Sequence, residues 1–374
     1  MLHRACRAVC TVAVATVISI ALAVPVSAQP DLSGEAERIA LLTGPGSINA
    51  TDARFNIYGT DIGTMWRNEQ GRVLAAFGDT FGPNRSDWRS NTLARSSDAT
   101  LADGMSFDGF VTDRPGHAKE LVPSRKIDNV EMATIPTGGV NVAGRDHMAY
   151  MSVKHFGSAG RWTTNHSAIA YSDDGGQNWV TAPGTRRPNT AGFDDPFQMV
   201  SYVRRDGYVY MFGTPNGRFG DARVARVAEN ALLDRGAYEY WTGPSGWQPG
   251  NGRDATPIIP GPVGELSVQY NESLQAWVMM YLDESAGAIT MRVGATPTGP
   301  WSPEFVVATG QAFPSLYGGY IHPASDGQDI YFTMSEFRSY NVSLMKVRLP
   351  FNLVATVTNQ IPPEPPGSLI PDLP

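Results

Sequence analysis

The sequence predicts an all-β protein, a five-bladed β-propeller, from three observations. Glycine and proline, at 39 and 28 of the 374 residues, separate short runs rich in Val, Ile, Tyr, Phe and Met. Long helical periodicity is nearly absent. A unit of three strands recurs about five times, with an irregular period of about 45–70 residues, which is typical of propeller blades with loop insertions.

The N-terminus has the pattern of a secretory signal peptide. Arg4 and Arg7 precede an apolar stretch over residues 11–24, and small residues lead to Ala28. We therefore expect a signal peptide over residues 1–28, cleavage near Ala28, and a protein that is secreted or held in the cell envelope. An apolar run of about 14 residues is short for a bilayer, so no membrane span is expected in the mature chain.

The cysteines and the charge narrow the possible partners. Cys6 and Cys10 both lie in the predicted signal, so the mature chain offers no disulfide and no thiol nucleophile. The remaining chain has 27 basic and 36 acidic residues and no basic block. Nucleic acid and anionic membranes are therefore poor candidates, and a weakly charged polysaccharide suits this surface better.

The repeated units assign the blades in chain order. The predicted strands are residues 63–66, 73–77 and 91–96; 132–140, 147–155 and 167–172; 197–203, 208–213 and 223–227; 265–270, 276–282 and 288–293; and 317–322, 329–335 and 342–349. Outer strands are predicted at residues 239–241 and 304–307, and residues 39–42 are expected to pair with the last blade. The propeller domain is predicted over residues 29–355, and the Pro-rich residues 356–374 are expected to be a disordered tail.

Residues 172–179 match the Asp-box pattern S-x-D-x-G-x-x-W at the end of the second unit. In propellers this pattern forms a self-hydrogen-bonded turn between the third and fourth strands of a blade. We interpret it as evidence for the fold and not as a functional site.

Two aspartates bracket the first predicted hairpin. Asp61 precedes one strand, Asp79 follows the other, and the turn is centred on Gln70. Residues directly opposite in an antiparallel pair have Cβ atoms about 4.5–5.5 Å apart. Two carboxylates that close repel, so one pKa rises, as an acid/base hydrolase requires. The alternative is a pair of aspartates that only cap a turn.

Residues before the first strand of a blade and after the second ring the central depression of a propeller. Polar and acidic residues recur at these positions, which we interpret as a substrate-binding or catalytic funnel. Trp88 could stack on a sugar while Arg89 and Asn91 donate hydrogen bonds, although a packed loop tryptophan is an equal alternative. The further candidates are Glu131, Thr137, Asp194, Asp195, Glu265, Tyr317, His322 and Glu336.

Cofactor chemistry is not indicated. The sequence has no H-E-x-x-H spacing and no G-x-S-x-G elbow. Asp194 and Asp195 could contribute oxygen ligands to a structural calcium. We therefore expect no catalytic metal and no organic cofactor.

Several motifs resemble those of the DUF4185 family, which includes the endo-D-arabinanases of glycoside hydrolase family 183. They are residues 60–63, 78–82, 89–91, 135–139 and 317–320, within a resemblance that spans roughly residues 40–350. The resemblance implies a five-bladed propeller that hydrolyses α-linked D-arabinofuranose chains in arabinogalactan or lipoarabinomannan.

The expected function is thus that of an exported glycoside hydrolase with Asp61 and Asp79 as its carboxylate pair. If both act, a separation of about 5–5.5 Å leads to retention of configuration. If the acid comes from another blade, about 6.5–9.5 Å leads to inversion. The alternative is a non-catalytic propeller that binds glycan as a lectin or scaffold.

Overall fold

The computed structural model describes residues 34–350 and residue 353. The predicted signal peptide, residues 1–28, and the Pro-rich residues 356–374 lie outside the described residues. Within the described part, five small antiparallel sheets form a ring, so the predicted five-bladed β-propeller is confirmed. None of the helices in this part of the chain is long and apolar enough to cross a membrane.

The strands alternate with short turns, and one short α-helix, α1 (Thr51–Phe55), follows the first strand. The first twelve strands are β1 (Glu37–Leu41), β2 (Ile62–Arg67), β3 (Val73–Phe77), β4 (Thr92–Ser96), β5 (Gly109–Phe110), β6 (Thr112–Arg114), β7 (His117–Ala118), β8 (Ala133–Val142), β9 (Arg145–Phe156), β10 (Trp162–Ser172), β11 (Val180–Pro188) and β12 (Met199–Arg205). The others are β13 (Tyr208–Thr214), β14 (Gly220–Ala228), β15 (Glu239–Trp241), β16 (Trp247–Pro249), β17 (Ile259–Val263), β18 (Leu266–Asn271), β19 (Ala276–Asp283), β20 (Ala288–Gly294), β21 (Phe305–Thr309), β22 (Leu316–Ile321), β23 (Asp329–Glu336) and β24 (Asn341–Arg348).

Each blade runs from the centre of the ring outward. Blade 1 is β2–β3–β4–β5, blade 2 is β8–β9–β10–β11, and blade 4 is β18–β19–β20–β21. Blade 3 is β12–β13–β14–β15–β16, with β17 paired to β14. Blade 5 is β22–β23–β24–β1, so the N-terminal strand closes the ring on the last blade, as residues 39–42 predicted.

The innermost strands contact each other around the hub, and side-chain hydroxyls join neighbouring blades there. The backbone N–H of Val268 donates to Ser201 Oγ at 3.1 Å, and that of Ile321 donates to Ser267 Oγ at 3.0 Å. These bonds satisfy backbone groups that no sheet partner reaches. They fix the relative positions of blades 3, 4 and 5.

Glycine allows the closest approach at the hub. A Cβ added to Gly138 on β8 would lie 2.6 Å from the carbonyl oxygen of Val200 on β12. A side chain there would push blades 2 and 3 apart. The blades themselves pack through apolar faces, and β19 is buried along its whole length because neighbouring blades cover both of its sides.

The Asp box forms the predicted turn between β10 and β11. Ser172 Oγ accepts from Gly176 N at 2.9 Å, and Asp174 Oδ1 accepts from Asn178 N at 2.9 Å. The indole of Trp179 donates to the Gly176 carbonyl at 3.0 Å. The motif therefore stabilises an outer turn, which confirms its interpretation as fold evidence.

Three of the five innermost strands are irregular. The register shifts between Ile62 and Thr64 in β2, between Pro136 and Gly138 in β8, and in the Tyr317–Tyr320 segment of β22. The pairings of β12 and β18 with their neighbours in the same blade are continuous. Such bulges bend a strand and redirect a side chain, often beside a functional site.

Candidate active site

One cavity of about 850 Å³ lies at the end of the ring where the innermost strands begin and the second strands end. Every blade contributes to its wall. Its acidic residues are Asp61, Asp79, Glu265 and Glu284, and its basic residues are Arg85, Arg161 and Arg218. The volume falls in the range of about 300–1,000 Å³ that is usual for small-molecule sites.

Asp61 precedes β2 and is only 9% exposed. The Tyr317 hydroxyl donates to its Oδ2 at 2.9 Å, whereas its buried Oδ1 has no hydrogen-bond partner among the described residues. Burial raises the pKa of Asp61 to about 7, although hydrogen bonding by the Tyr317 and Tyr340 hydroxyls lowers it. This carboxyl therefore changes its protonation state near neutral pH.

Asp79 follows β3 and lines the same cavity, partly exposed. Burial and then the charge of Asp61 raise the pKa of Asp79 to about 8. The indole N–H of Trp88 donates to Asp79 Oδ1 at 2.7 Å and does not contact Oδ2 in this hydrogen bond. The charge of Asp61 therefore acts on Asp79, and the two carboxyls are electrostatically coupled.

The bulge in β2 changes the predicted register. Beyond it, Ile62 pairs with Phe77 and Gly78 N donates to the Asp61 carbonyl at 3.0 Å. Asp61 thus lies opposite Gly78 and one residue away from Asp79, not directly opposite it. Gly78 leaves room for the acid, because a Cβ there would collide with Asp61 Oδ1.

The opposite wall holds a buried ion pair. Glu265, 6% exposed, accepts from Arg218 through Nη2 at 2.8 Å and Nε at 3.0 Å. The guanidinium also lies 3.4 Å from Glu284 and 5.1 Å from the ring centre of Tyr317. Although burial opposes it, the Glu265 charge raises the pKa of Arg218, so Glu265 already has its countercharge.

Aromatic side chains surround the mouth of the cavity. Phe81 and Trp88 stack with their centres 6.2 Å apart, and Tyr340 meets Phe81 edge-on at 5.6 Å. Phe337 is 60% exposed and packs edge-on against Tyr340. Flat, exposed rings of this kind suit the apolar faces of sugars.

Two predicted binding residues have structural contacts and do not line the cavity. Arg89 donates to the carbonyls of Asn56 at 2.7 Å and Ala118 at 3.0 Å. Asn91 is fully buried and donates to the Thr134 carbonyl on blade 2 at 2.8 Å. Both side chains thus donate hydrogen bonds to backbone carbonyls and hold loops and blades together.

Five other predicted residues also lie outside the cavity wall, namely Glu131, Asp194, Asp195, His322 and Glu336. Glu131 accepts from Ser152 Oγ at 2.7 Å, and Glu336 pairs with Arg38. His322 follows the other end of β22 and is buried, and burial lowers its pKa to about 4. Glu131 and Glu336 thus pair with side chains on the strands β9 and β1, and His322 lies at the end of β22 away from the cavity.

Asp194 and Asp195, named above as possible ligands of a structural calcium, have hydrogen-bond partners in their own loop. Asp195 Oδ1 accepts from Phe197 N at 3.1 Å and Gln198 Nε2 at 3.0 Å, and Asp194 accepts from Thr190. Within residues 34–350 and residue 353, no group of three or more His, Cys, Asp or Glu side chains is placed to hold a metal ion.

The site therefore contains Asp61, Asp79, Trp88, Thr137, Glu265 and Tyr317 of the predicted residues. Sequence reasoning missed Arg218, Trp162 and Tyr340. Arg218 follows the second strand of blade 3, as Asp79 follows that of blade 1. Because it is basic, it did not fit the pattern of acidic residues at these positions. Tyr340 and Trp162 lie in a turn and at a strand start that no pattern distinguished.

The comparisons with known proteins agree with this architecture. The family model described as Domain of unknown function (DUF4185) matches residues 46–346, which confirms the resemblance. Notoamide biosynthesis cluster protein J of an Aspergillus species is 30% identical over 345 residues, covering 86% of this chain and 90% of that protein. An uncharacterised 35.9 kDa protein of Mycolicibacterium smegmatis is 24% identical, covering 72% of this chain and 84% of its own length.

Solved structures share the fold at low identity. A protein from Bacteroides ovatus has a TM-score of 0.56 at 17% identity, covering 84% of this chain and 91% of that one. An α-L-arabinofuranosidase from Clostridium thermocellum has a TM-score of 0.50 at 13% identity, covering 76% and 88%. At these identities the likeness concerns the fold.

Proposed function

We propose that this chain, which belongs to the DUF4185 family, is an exported glycoside hydrolase that cleaves α-D-arabinofuranosyl linkages within arabinogalactan or lipoarabinomannan. The observation that carries the proposal is the coupled pair of Asp61 and Asp79 in one large cavity, with both pKa values raised toward neutral. Glycosidases use two carboxyls, one protonated and one ionised.

The surroundings of the pair support a division of roles. Asp79 has the higher pKa and holds its proton longer, so it is the proposed general acid toward the leaving oxygen. Asp61 loses its proton first, and the Tyr317 hydroxyl bonds to its charged form. Asp61 is therefore the proposed nucleophile or base.

Sequence motifs and aromatic side chains support the substrate class. The motifs that resemble arabinanases include residues 60–63 and 78–82, which carry both acids. Exposed Phe337 and stacked Trp88 offer platforms for a chain of uncharged sugars. The apolar stretch before Ala28 supports export.

The test is to replace Asp61 or Asp79 with Asn and to measure the release of oligosaccharides from purified D-arabinan by chromatography. We expect each variant to lose at least about a hundredfold in kcat, as is usual when a general acid or base is removed. Asp206→Asn is the matched control, because Asp206 lies in a turn outside the cavity wall. Near-normal turnover in both cavity variants would exclude this pair from the mechanism.

The anomeric configuration of the first product, followed by NMR, shows whether the reaction retains or inverts. Retention fits a pair of Asp61 and Asp79 about 5–5.5 Å apart, and inversion fits carboxyls about 6.5–9.5 Å apart, as expected if the acid comes from another blade. If the wild-type protein binds arabinan and releases no oligosaccharides, the non-catalytic lectin replaces the hydrolase.

A further inference from the structure

Three polar atoms on the cavity wall are buried and have no hydrogen-bond partner among the described residues. They are Asp61 Oδ1, Thr137 Oγ1 and Trp162 Nε1. Buried polar groups are normally paired, because each unpaired group costs about 1–3 kcal/mol. Thr137 and Trp162, both on blade 2, are not part of the acid pair and need another explanation.

The backbone directs Thr137 into the cavity. It is the extra residue of the bulge in β8, since Pro136 pairs with Tyr150 and Gly138 pairs with Ala149. Its side chain is 6% exposed, yet its hydroxyl has no partner in the described part of the chain. The bulge thus holds a hydroxyl at the wall, beside the acid pair on blade 1.

Neighbouring loops hold Trp162 in place. Asn216 Nδ2 donates to the Trp162 carbonyl at 2.6 Å, and the Arg218 guanidinium lies 5.8 Å from the indole centre. The indole N–H can only donate. A ligand that pairs with both atoms offers an acceptor to the Trp162 N–H and either a donor or an acceptor to the Thr137 hydroxyl.

Apolar side chains of blade 2 line the same cavity as these polar atoms. Met132, Ile135 and Met151 line the same part of blade 2. A sugar has this combination of an apolar face and hydroxyl edges. A water molecule could pair with either polar atom alone, but it would gain nothing from the apolar wall.

We propose that Thr137 and Trp162 form a sugar-binding subsite on blade 2, which hydrogen-bonds the hydroxyl or ring oxygens of the residue next to the cleaved bond. The subsite deepens the proposed function and rests on it. Its role is substrate binding, and the chemistry remains with Asp61 and Asp79.

Two variants test the subsite with D-arabinan as the probe, the near-isosteric Thr137→Val and Trp162→Phe, which removes the indole N–H together with part of the ring. In each variant a sugar oxygen loses its hydrogen-bond partner, so we expect kcat/KM to fall about tenfold, and for Trp162→Phe the loss beyond that of the Trp301→Phe control is the one that counts. Thr137→Ser keeps the hydroxyl and should stay within about twofold of wild type. Thr214→Val and Trp301→Phe are the matched controls, because both residues have buried polar atoms without a partner in the described chain but lie outside this wall.

A second readout uses Asp61→Asn as the background, so that binding is measured without cleavage. The affinity for D-arabino-oligosaccharides, measured by calorimetry, should fall about tenfold with Thr137→Val. Unchanged kcat/KM and affinity in both cavity variants would overturn the subsite and leave the hydrolase intact. A wild-type protein that neither cleaves nor binds D-arabinan would overturn both proposals, and lost binding in Thr137→Ser as well would show a packing role and overturn the subsite.

Discussion

The blades divide into two regions at the hub. In blades 1, 2 and 5 the innermost strand is irregular near the cavity, and these strand ends bring Asp61, Thr137 and Tyr317 to its wall. In blades 3 and 4 the innermost strands are regular. They contribute apolar side chains, and the buried Glu265 beside them is paired with Arg218.

The difference lies in how each region satisfies its polar groups. Asp61 and Thr137 each have a buried oxygen without a hydrogen-bond partner in the described chain. In contrast, both carboxylate oxygens of Glu265 accept hydrogen bonds from Arg218. A buried polar group without a partner lowers the stability of the protein, and a ligand that hydrogen-bonds to it removes this penalty. In the proposed hydrolase the irregular region therefore carries the chemistry, and the regular region provides a wall whose buried charges are paired.

The largest expected effect on stability comes from breaking the buried Arg218–Glu265 ion pair of the regular region. Arg218→Met leaves the Glu265 carboxylate buried without its countercharge, which typically costs about 3–5 kcal/mol. We expect a correspondingly lower free energy of unfolding in urea. Adding Glu265→Gln should restore much of it, because the second change removes the isolated charge.

Arg145→Met is the matched control for this prediction. Arg145 pairs with Asp173 at 2.6 Å, but both side chains are largely exposed, so the loss should be at most about 1 kcal/mol. Equal losses in the two single variants would show that burial does not distinguish the hub pair from a surface pair.

Much of this architecture could be predicted from the sequence, because strands and turns follow local chemistry. The Asp box, the hairpin at Gln70 and the closing strand near Ile39 each depend on a few adjacent residues. The bulge at Gly63 could not be predicted, since its register depends on packing around the hub. Arg89 was misjudged because a guanidinium serves loop carbonyls and sugars equally well, and only the position of Asn56 decides between them.

The next effect concerns the protonation of the irregular region. The pKa of Asp61 is about 7 in the folded protein against 3.8 unperturbed, so the folded state binds the proton more tightly. The associated stability is complete below about pH 4 and is lost as the pH rises through about 7. Asp61→Asn removes this loss and should stabilise the fold at pH 9 by up to about 4 kcal/mol.

Thermal unfolding at pH 4 and pH 9 measures this effect, with the exposed Asp206→Asn variant as the control. We expect the two variants to differ at pH 9 and to agree at pH 4. A melting temperature of Asp61→Asn that follows wild type at both pH values would contradict the buried, proton-binding state of Asp61.

A smaller change tests the space around the acid. Gly78→Ala places a methyl group against Asp61 Oδ1, so the carboxyl must move or the strands must shift. Overpacking costs about 1–3 kcal/mol, and a displacement of about 1 Å can reduce turnover about a hundredfold. Gly184→Ala in β11 meets open space and should keep full activity, so equal kcat values in the two variants would show that the site tolerates the methyl group.

The smallest effect is expected at Asp174, an aspartate whose pKa is lowered and not raised. In the Asp box, Asp174 accepts from Asn178 N at 2.9 Å and from Ser172 Oγ at 2.8 Å. Burial raises the pKa of Asp174, but the hydrogen bonds together outweigh it and lower the pKa, the reverse of the shift at Asp61. Its contribution is therefore present at neutral pH and is lost as the pH falls through the lowered pKa.

Asp174→Ala should lower the free energy of unfolding by about 1 kcal/mol or less at pH 7 and leave kcat/KM unchanged. The loss should shrink as the pH falls below 3.8, the ordinary pKa of an aspartate, whereas the gain from Asp61→Asn grows with rising pH. Urea unfolding of both variants across this range separates the two cases. If the changes in unfolding free energy followed the pH in parallel, the Asp box turn and the cavity would shift the pKa of their carboxyls in the same direction. The distinction between hydrogen-bonded carboxyls in the turns and buried, unpaired oxygens in the cavity would then be wrong.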